Sequence, residues 1–186
     1  ALVCYADALG GAYCFAQLEN ISQNPVENPS ARFTLASANS APLEMDGILP
    51  LNILPAGEIL PVVAYFPASL SVGFEVSAQV QDWLPVMPDD NRYLSVKLTA
   101  EPFTPAPNTH FAEARGEVSL SSGEADYLWV LGVIYDQDGQ VLGMRRWEAA
   151  APLSAGSSIP FSFNIYSMQG DIKTLKLFVE AHSKTP

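Results

Sequence analysis

Basic residues are scarce in this sequence. Its 186 residues include nine Lys and Arg against 20 Asp and Glu, which gives a formal net charge of −11. Proteins that bind nucleic acid draw much of their affinity from Lys and Arg side chains that neutralise phosphates. The one basic pair, Arg145-Arg146, is far smaller than such a patch and suits solvated positions on a strand or loop. We therefore predict no nucleic-acid partner.

Long apolar runs are also missing. A membrane-spanning helix needs about 20 consecutive apolar residues. The longest apolar stretches here, residues 59–66 and 128–135, are short and are interrupted by Pro61 and Gly132. The sequence thus predicts no membrane span. It begins at Ala1 rather than Met, which leaves open an export signal or a lipid anchor upstream.

No recognisable pattern of catalytic residues occurs. The two histidines, His110 and His182, lie in a proline-rich segment and near the end of the chain, and no nucleophile elbow, P-loop or dinucleotide-binding glycine motif is found. Asp136 and Asp138 begin like a calcium loop, but Trp147 stands where an EF-hand needs its glutamate. A β-hairpin explains that segment better. We predict a protein that is not an enzyme, without catalytic residues, metal or cofactor.

The two cysteines, Cys4 and Cys14, flank the glycine pair Gly10-Gly11. Such glycines favour a tight hairpin, which would bring the two sulfurs opposite each other. The pattern leaves three alternatives, of which a disulfide is favoured over two buried thiols and over a metal or catalytic site, because a structural zinc needs four ligands. A disulfide would place the protein outside the reducing cytosol, in a secreted, periplasmic or surface-anchored form. Asn20-Ile21-Ser22 is a glycosylation sequon, relevant only in a secreting eukaryote.

Short strands dominate the pattern along the chain. Apolar and polar residues alternate over residues 94–99 and 175–180, which is the period of a half-buried strand. Residues 127–135 are apolar on both faces and read as a central strand that ends in a turn at residues 136–139. The 15 prolines leave few windows for a helix. The predicted fold class is all-β.

An internal repeat indicates two domains. Residues 54–66 match residues 153–165 at a constant separation of 99, with Leu, Ala, Gly and Pro identical and apolar residues matching in the strand that follows. We therefore predict one antiparallel β-sandwich over residues 1–84, a proline-rich linker over 85–92, and a second sandwich over 93–186. A single sandwich with internal similarity is the alternative.

The second half carries the motifs of a known family. These are the strand at residues 114–120, the hairpin from Tyr135-Asp136 to Gly143, and the block from Leu153 to Phe161. Over about residues 93–181 this pattern resembles the FxLYD-type domain, an immunoglobulin-like or fibronectin-III-like sandwich of exported bacterial and archaeal proteins. Leu120 departs from the Asn often found in that family, and Val133-Ile134 departs from its aromatic–aliphatic pair. The first half looks like a degenerate copy.

The resemblance implies two tandem immunoglobulin-like sandwiches that serve as an accessory, interaction or spacer module, with no catalytic residues to carry over. Among the aromatics, Trp129 is expected in the core, Trp83 between the domains, and Trp147 on the surface beside Arg145 and Arg146 as a possible binding group. Two functions stay open. A protein partner would use an exposed strand edge or apolar patch, whereas a glycan, in a carbohydrate-binding or adhesin module, would need exposed aromatics on one flat face.

Overall fold

The protein is all-β, as predicted. The computed structural model describes residues 1–37, 40–67, 74–149 and 152–183, and in this part of the chain 65% of the structure is strand, none is helix, and the sheets are antiparallel. The chain divides into two compact units, Ala1–Pro88 and Asp89–Pro186. Across the described residues, nothing helical has the length and apolar character needed to cross a bilayer.

The first unit contains seven strands in two layers. One layer has the order β1-β2-β6 and the other has β4-β3-β7, with β5 paired to the start of β3. The layers are joined at one corner, where Ile48 pairs with Val63. The strands are β1 (Leu2–Ala6), β2 (Ala12–Glu19), β3 (Val26–Ser37), β4 (Ser40–Ile48), β5 (Ile53–Leu54), β6 (Ile59–Phe66) and β7 (Glu75–Pro85).

The second unit repeats this arrangement. Its layers have the orders β8-β9-β13 and β11-β10-β14, with β12 paired to the start of β10. Each strand of the second unit therefore has a counterpart seven places earlier in the chain. The strands are β8 (Val96–Ala100), β9 (Phe111–Leu120), β10 (Glu124–Tyr135), β11 (Val141–Glu148), β12 (Leu153–Ser154), β13 (Ser158–Tyr166) and β14 (Thr174–Ser183).

The repeated sequence block forms the same turn in both units. Gly57 and Gly156 both adopt a positive φ, +73° and +77°, a conformation that glycine reaches without steric cost. The Gly57 amide donates to the Asn20 carbonyl at 2.8 Å, and the Gly156 amide donates to the Leu120 carbonyl at 2.9 Å. The repeat therefore encodes a shared turn that docks on the end of the second strand of each unit.

Each unit has its own core between its two layers. In the first unit the buried side chains of β2 and β6 pack against those of β3, with Phe33 and Phe66 fully buried. In the second unit a Cβ placed on Gly132 of β10 would lie 2.5 Å from Cδ1 of Ile165 on β13, so the Ile165 side chain packs directly on the Gly132 backbone. Burial of apolar surface between layers is the main favourable term in such a fold.

The predicted linker over residues 85–92 is shorter in the structure. Strand β7 runs to Pro85, and the buried Val86 donates its amide to the Pro25 carbonyl at 2.9 Å. The first unit therefore extends to Pro88. At the other end, Arg92 accepts a backbone bond from Ser183. Proline content predicted a linker over residues 85–92, and backbone hydrogen bonds tie both of its ends to the units.

Candidate functional site

The surface residues proposed from the sequence do not form one patch. Trp147 is half-buried, and its ring centroid lies 6.0 Å from that of the buried Phe161. It pairs in register with Val130, which is fully buried. Successive strand residues face opposite sides of a sheet, and this register puts Trp147 on the inner face. The expectation of an exposed Trp147 is therefore wrong.

The two arginines separate for the same reason. Arg146 lies on the outer face, with its guanidinium 4.1 Å from the centroid of the Trp129 ring and 2.5 Å from the Glu148 carboxylate. Arg145 is exposed and donates to the Asn164 carbonyl at 3.2 Å. Both cations are thus engaged with groups of their own unit, on different sides of β11.

Trp129 was expected in the core but lies half-buried on the outer face. It pairs with Glu148 on one side and Glu180 on the other. Tyr127, which is 60% exposed, and His182 lie nearby, with ring centroids 6.3 Å and 6.0 Å from that of Trp129. Aromatic rows of this kind stack on sugar rings in some proteins, but a cation–π contact from Arg146 already occupies the Trp129 ring. Only the Tyr127 ring is largely open.

The His182 side chain is held in place by neighbouring side chains of its own unit. Its Nε2 lies 2.6 Å from a carboxylate oxygen of Glu180, which is 3% exposed, and its ring packs against Tyr93 with centroids 4.4 Å apart. The other histidine, His110, is exposed. In the part of the chain that the structure describes, no three His, Cys, Asp or Glu side chains are grouped so that they could hold a metal ion.

The structure joins Cys4 to Cys14 by a disulfide. The two residues lie directly opposite each other in the β1–β2 hairpin. Backbone bonds from Asp7 to Gly11 and from Gln17 to Ala1 show which pairs of this hairpin are hydrogen-bonded. By alternation, Cys4 and Cys14 form a non-hydrogen-bonded pair, in which side chains come closest. The bond is consistent with an oxidising compartment.

Asp7 organises the hairpin turn next to this disulfide. Its carboxylate accepts the amides of Leu9 and Gly11, both at 2.8 Å, and the hydroxyl of Tyr65 at 2.9 Å. These bonds, led by that from Gly11, hold the pKa of Asp7 below its ordinary value, and the same contact with Asp7 raises the pKa of Tyr65. Because its oxygens accept these hydrogen bonds, the Asp7 carboxylate stabilises the turn and is not placed as a general acid or base.

Asn20, the asparagine of the sequon, uses its side chain for hydrogen bonds within the protein. Asn20 is 5% exposed, and its Nδ2 donates to the carbonyls of Asn24 and Leu54 at 2.9 Å and 3.0 Å. Its Oδ1 accepts both the amide and the hydroxyl of Ser22. Glycosylation needs this nitrogen at the surface, so the folded protein does not present a usable acceptor here.

A cleft opens beside Asn20, within the first unit. It has a volume of about 320 Å³ and lies between the end of β2 and the inner side of β7. Among its walls, Val80 is 47% exposed and Trp83 is 54% exposed. The lining is largely apolar: Leu18, Glu19, Asn20, Ile21, Ser22, Val26, Pro29, Leu54, Val80 and Trp83.

Strand β7 forms one rim of this cleft and is a sheet edge. Among the described residues it pairs with β3 alone, and ten of its eleven residues are exposed. Alternate backbone N–H and C=O groups of such a strand point away from its one neighbour. Sequence analysis did not single out this edge. The available signal was three large apolar residues, Val80, Trp83 and Leu84, that lie close to the polar residues Gln79, Gln81 and Asp82.

The counterpart strand in the second unit is covered. Residues 92–94 run along β14, where Tyr93 pairs with His182, the Leu94 amide donates to the Ala181 carbonyl at 3.0 Å, and the Ser183 amide donates to the Arg92 carbonyl at 2.8 Å. Only two of the ten residues of β14 are exposed. The end of this edge is thus covered in the second unit, whereas no described segment pairs with the corresponding end of β7.

Comparison with known proteins adds little to this geometry. No protein-family model matches the chain, and no curated protein matches it. Among solved structures, the chain is similar to a Bacteroides uniformis β-glucuronidase 2, covalently bound to cyclophellitol-6-carboxylate aziridine, with 15% identity and a TM-score of 0.27. The match covers 87% of this chain and 22% of the glucuronidase. A likeness this weak supports no argument about fold family or activity.

Proposed function

We propose that this chain is a non-catalytic protein-interaction module of an exported protein, built from two tandem immunoglobulin-like sandwiches of the FxLYD type. The observation that carries the proposal is the open edge of β7 beside an apolar cleft. Its occupant is an extended segment of a partner protein, which adds to β7 as a further strand and places alternate side chains in the cleft. The main-chain bonds give affinity, and the cleft gives selectivity.

The location outside the cytosol is part of this proposal. The Cys4–Cys14 disulfide supports it, because such bonds persist in oxidising compartments. The second unit, whose corresponding edge is covered, would act mainly as a spacer and support.

The test uses the full chain and a random-peptide library. Val80 and Leu43 form a matched pair, because they lie on the two outer strands of one layer, β7 and β4, and are 47% and 45% exposed. We expect the wild type and Leu43→Glu to enrich the same peptides, and Val80→Glu to lose them. Isotope-labelled protein should show shift changes along β7. Peptides retained by Val80→Glu, or shifts away from β7, would contradict the proposal.

A glycan is the second candidate, favoured by the open ring of Tyr127 next to Trp129 on one face of the second unit. Because Arg146 covers the Trp129 ring, this face offers one free ring, which is less than a sugar platform normally uses. Glycan-array binding that disappears in Tyr127→Ala, with Tyr166→Ala as an equally exposed control, would favour this function over the protein partner. Tyr127 and Tyr166 are 60% and 63% exposed.

A further inference from the structure

We propose that Thr104 is an acceptor site for O-linked glycosylation, on a proline-rich loop of the second unit. The asparagine of the sequon, Asn20, is buried and hydrogen-bonded in the folded protein. Thr104 offers an exposed hydroxyl instead. The inference rests on the exported location that forms part of the proposed function, and it does not depend on the edge of β7.

The loop that carries Thr104 is an extension of the repeated fold. It joins β8 to β9 through ten residues, 101–110, whereas the equivalent strands β1 and β2 are joined by five, 7–11. The shorter loop has a usual length for a hairpin, and the longer one exceeds it. The shared topology therefore does not require the additional residues, and exposed loops of this kind frequently carry function.

The prolines of this loop favour an extended backbone. The sequence of residues 101–107 is Glu-Pro-Phe-Thr-Pro-Ala-Pro. Each proline fixes its own φ at about −65° and also restricts the residue before it to extended conformations. Together these two effects cover every position of the segment except Phe103. Threonine among prolines is also the composition of O-glycosylated stalks.

The backbone around Thr104 is free of sheet pairing. Residues 101–106 form neither helix nor strand, and the backbone of residues 102–105 makes no hydrogen bond with another described residue. The loop is tied to the sheet on either side of this stretch, where Glu101 donates its amide to the Arg115 carbonyl and His110 accepts the Ser167 amide. A transferase can therefore take the extended stretch into its active site without breaking a strand ladder.

A cleft beside Thr104 has a lining that suits a sugar. Its volume is about 330 Å³, and it is lined by the loop, including Thr104, and by β9. Phe111, Glu113 and Arg115 alternate along β9 and therefore share one face. The Phe111 ring, which is 45% exposed, offers an apolar surface for the C–H face of a sugar. Glu113 and Arg115, whose Oε1 and Nε lie 2.7 Å apart, offer charged hydrogen-bonding groups for sugar hydroxyls. We expect the first sugar on Thr104 to lie in this cleft.

The charge of the cleft favours a sugar over a phosphate on the same hydroxyl. The cleft wall contains the carboxylates of Glu101 and Glu113 and one guanidinium, that of Arg115. A phosphate on Thr104 would add about two negative charges beside these carboxylates, which is unfavourable because like charges repel. A neutral sugar adds no charge.

The modification is a glycosyl transfer from an activated sugar whose anomeric carbon is bonded to a phosphate leaving group. The Thr104 Oγ1 attacks the anomeric carbon and forms the new C–O bond. The bond between that carbon and the phosphate oxygen breaks, and the phosphate leaves with the electron pair. The hydroxyl proton passes to a base of the transferase. Thr104 therefore supplies the acceptor oxygen, and the transferase supplies the catalytic groups.

The experiment incubates the folded full chain with uridine diphosphate N-acetylgalactosamine and a purified polypeptide N-acetylgalactosaminyltransferase. We expect one N-acetylhexosamine per chain in the intact mass, and peptide fragmentation should place it on Thr104. Thr104→Ala should lose the modification, and Thr104→Ser should retain it. Thr99→Ala is the matched control, because Thr99 is also an exposed threonine but lies in β8, where it pairs with Glu117. This variant should be modified like the wild type.

A second measurement locates the attached sugar. Chemical shifts of the isotope-labelled, glycosylated chain should change at residues 111–115 of β9 and stay constant along β14. No transfer to the folded wild type, or transfer that persists in Thr104→Ala, would overturn the acceptor site. Transfer to Thr104 with unchanged shifts in β9 would support the acceptor and overturn the place of the sugar in the cleft. Because the assay uses the purified chain, its failure is distinct from a failure of the peptide selection that tests β7.

Discussion

Strands β7 and β14 occupy the same place in two copies of one topology, yet ten of eleven residues are exposed in the first and two of ten in the second. At the end of β14, residues 92–94 pair with Ala181–Ser183, and no described residue pairs with the corresponding end of β7. Sandwich folds normally protect their edges. The edge of β7 beside the apolar cleft is the feature on which the proposed protein-binding function rests.

The largest expected effect comes from a substitution in the core of the first unit. Phe33 is fully buried in the first unit, so Phe33→Ala should lower the free energy of unfolding by about 3–5 kcal/mol. Urea unfolding measures the loss, and hydrogen exchange locates it. If the two units fold separately, amides of β10 keep their protection. Equal loss of protection in β10 would show that the units unfold together, and the open edge would then belong to one larger cooperative structure.

The disulfide should have the next largest effect, in the first unit only. Cys4→Ala with Cys14→Ala removes a cross-link over a sequence separation of 10, and the entropy of so short a loop corresponds to about 2–3 kcal/mol. Thermal unfolding with and without reductant checks this value. The second unit has no cysteine and serves as an internal control. A midpoint that does not respond to reductant would show that the cross-link does not stabilise the hairpin.

Removing the cover of β14 should have a smaller effect. Tyr93→Ala loses the ring contact with His182, which is worth about 1 kcal/mol. The Ser183 amide, which donates to the Arg92 carbonyl, should then exchange faster with solvent. Tyr166→Ala, an exposed aromatic on β13, is the matched control. Unchanged exchange at Ser183 would mean that the contact with Tyr93 does not hold the cover on β14.

The smallest expected effect is on how the stability of the first unit declines at acidic pH. The pKa of Asp7 is lowered in the folded state, chiefly by the Gly11 amide. The stabilisation is therefore complete above its unfolded value of 3.8 and disappears as the pH falls through the lower folded pKa. Asp7→Asn should flatten the decline in stability of the first unit below about pH 4. A parallel pH profile for wild type and variant would exclude this contribution.

Several features of the fold follow from short stretches of chain. Alternating residues and the many prolines predicted an all-β protein, and this prediction is confirmed. The turn signal at residues 136–139 forms the β10–β11 hairpin, where Asp136 accepts the amides of Asp138 and Gln140. Asp7 forms the same bonds in the β1–β2 hairpin. Such turns depend on neighbouring residues, so the local sequence contains the necessary information.

The candidate binding residues were much less predictable. Residues 127–135 are apolar on both faces, so their alternation did not show which face lies in the core, and a shift of one residue exchanges all side chains between faces. That ambiguity put Trp129 in the core, and the preceding Arg145-Arg146 pair put Trp147 at the surface. The register places the two side chains on the opposite faces, and both are half-buried. Trp83 was expected between the domains, and the structure shows it exposed on the cleft rim.

Composition, turns and the repeat are properties of chain segments, and they suffice for the fold class, the hairpins and the duplicated turn at Gly57 and Gly156. Which side chains are exposed depends on strand register, and which edge is open depends on whether a distant segment covers it. Residues 92–94 reach β14 only because the folded chain brings positions about 90 residues apart together. The cleft and the open edge of β7 arise at that level, through long-range pairing that no single segment specifies.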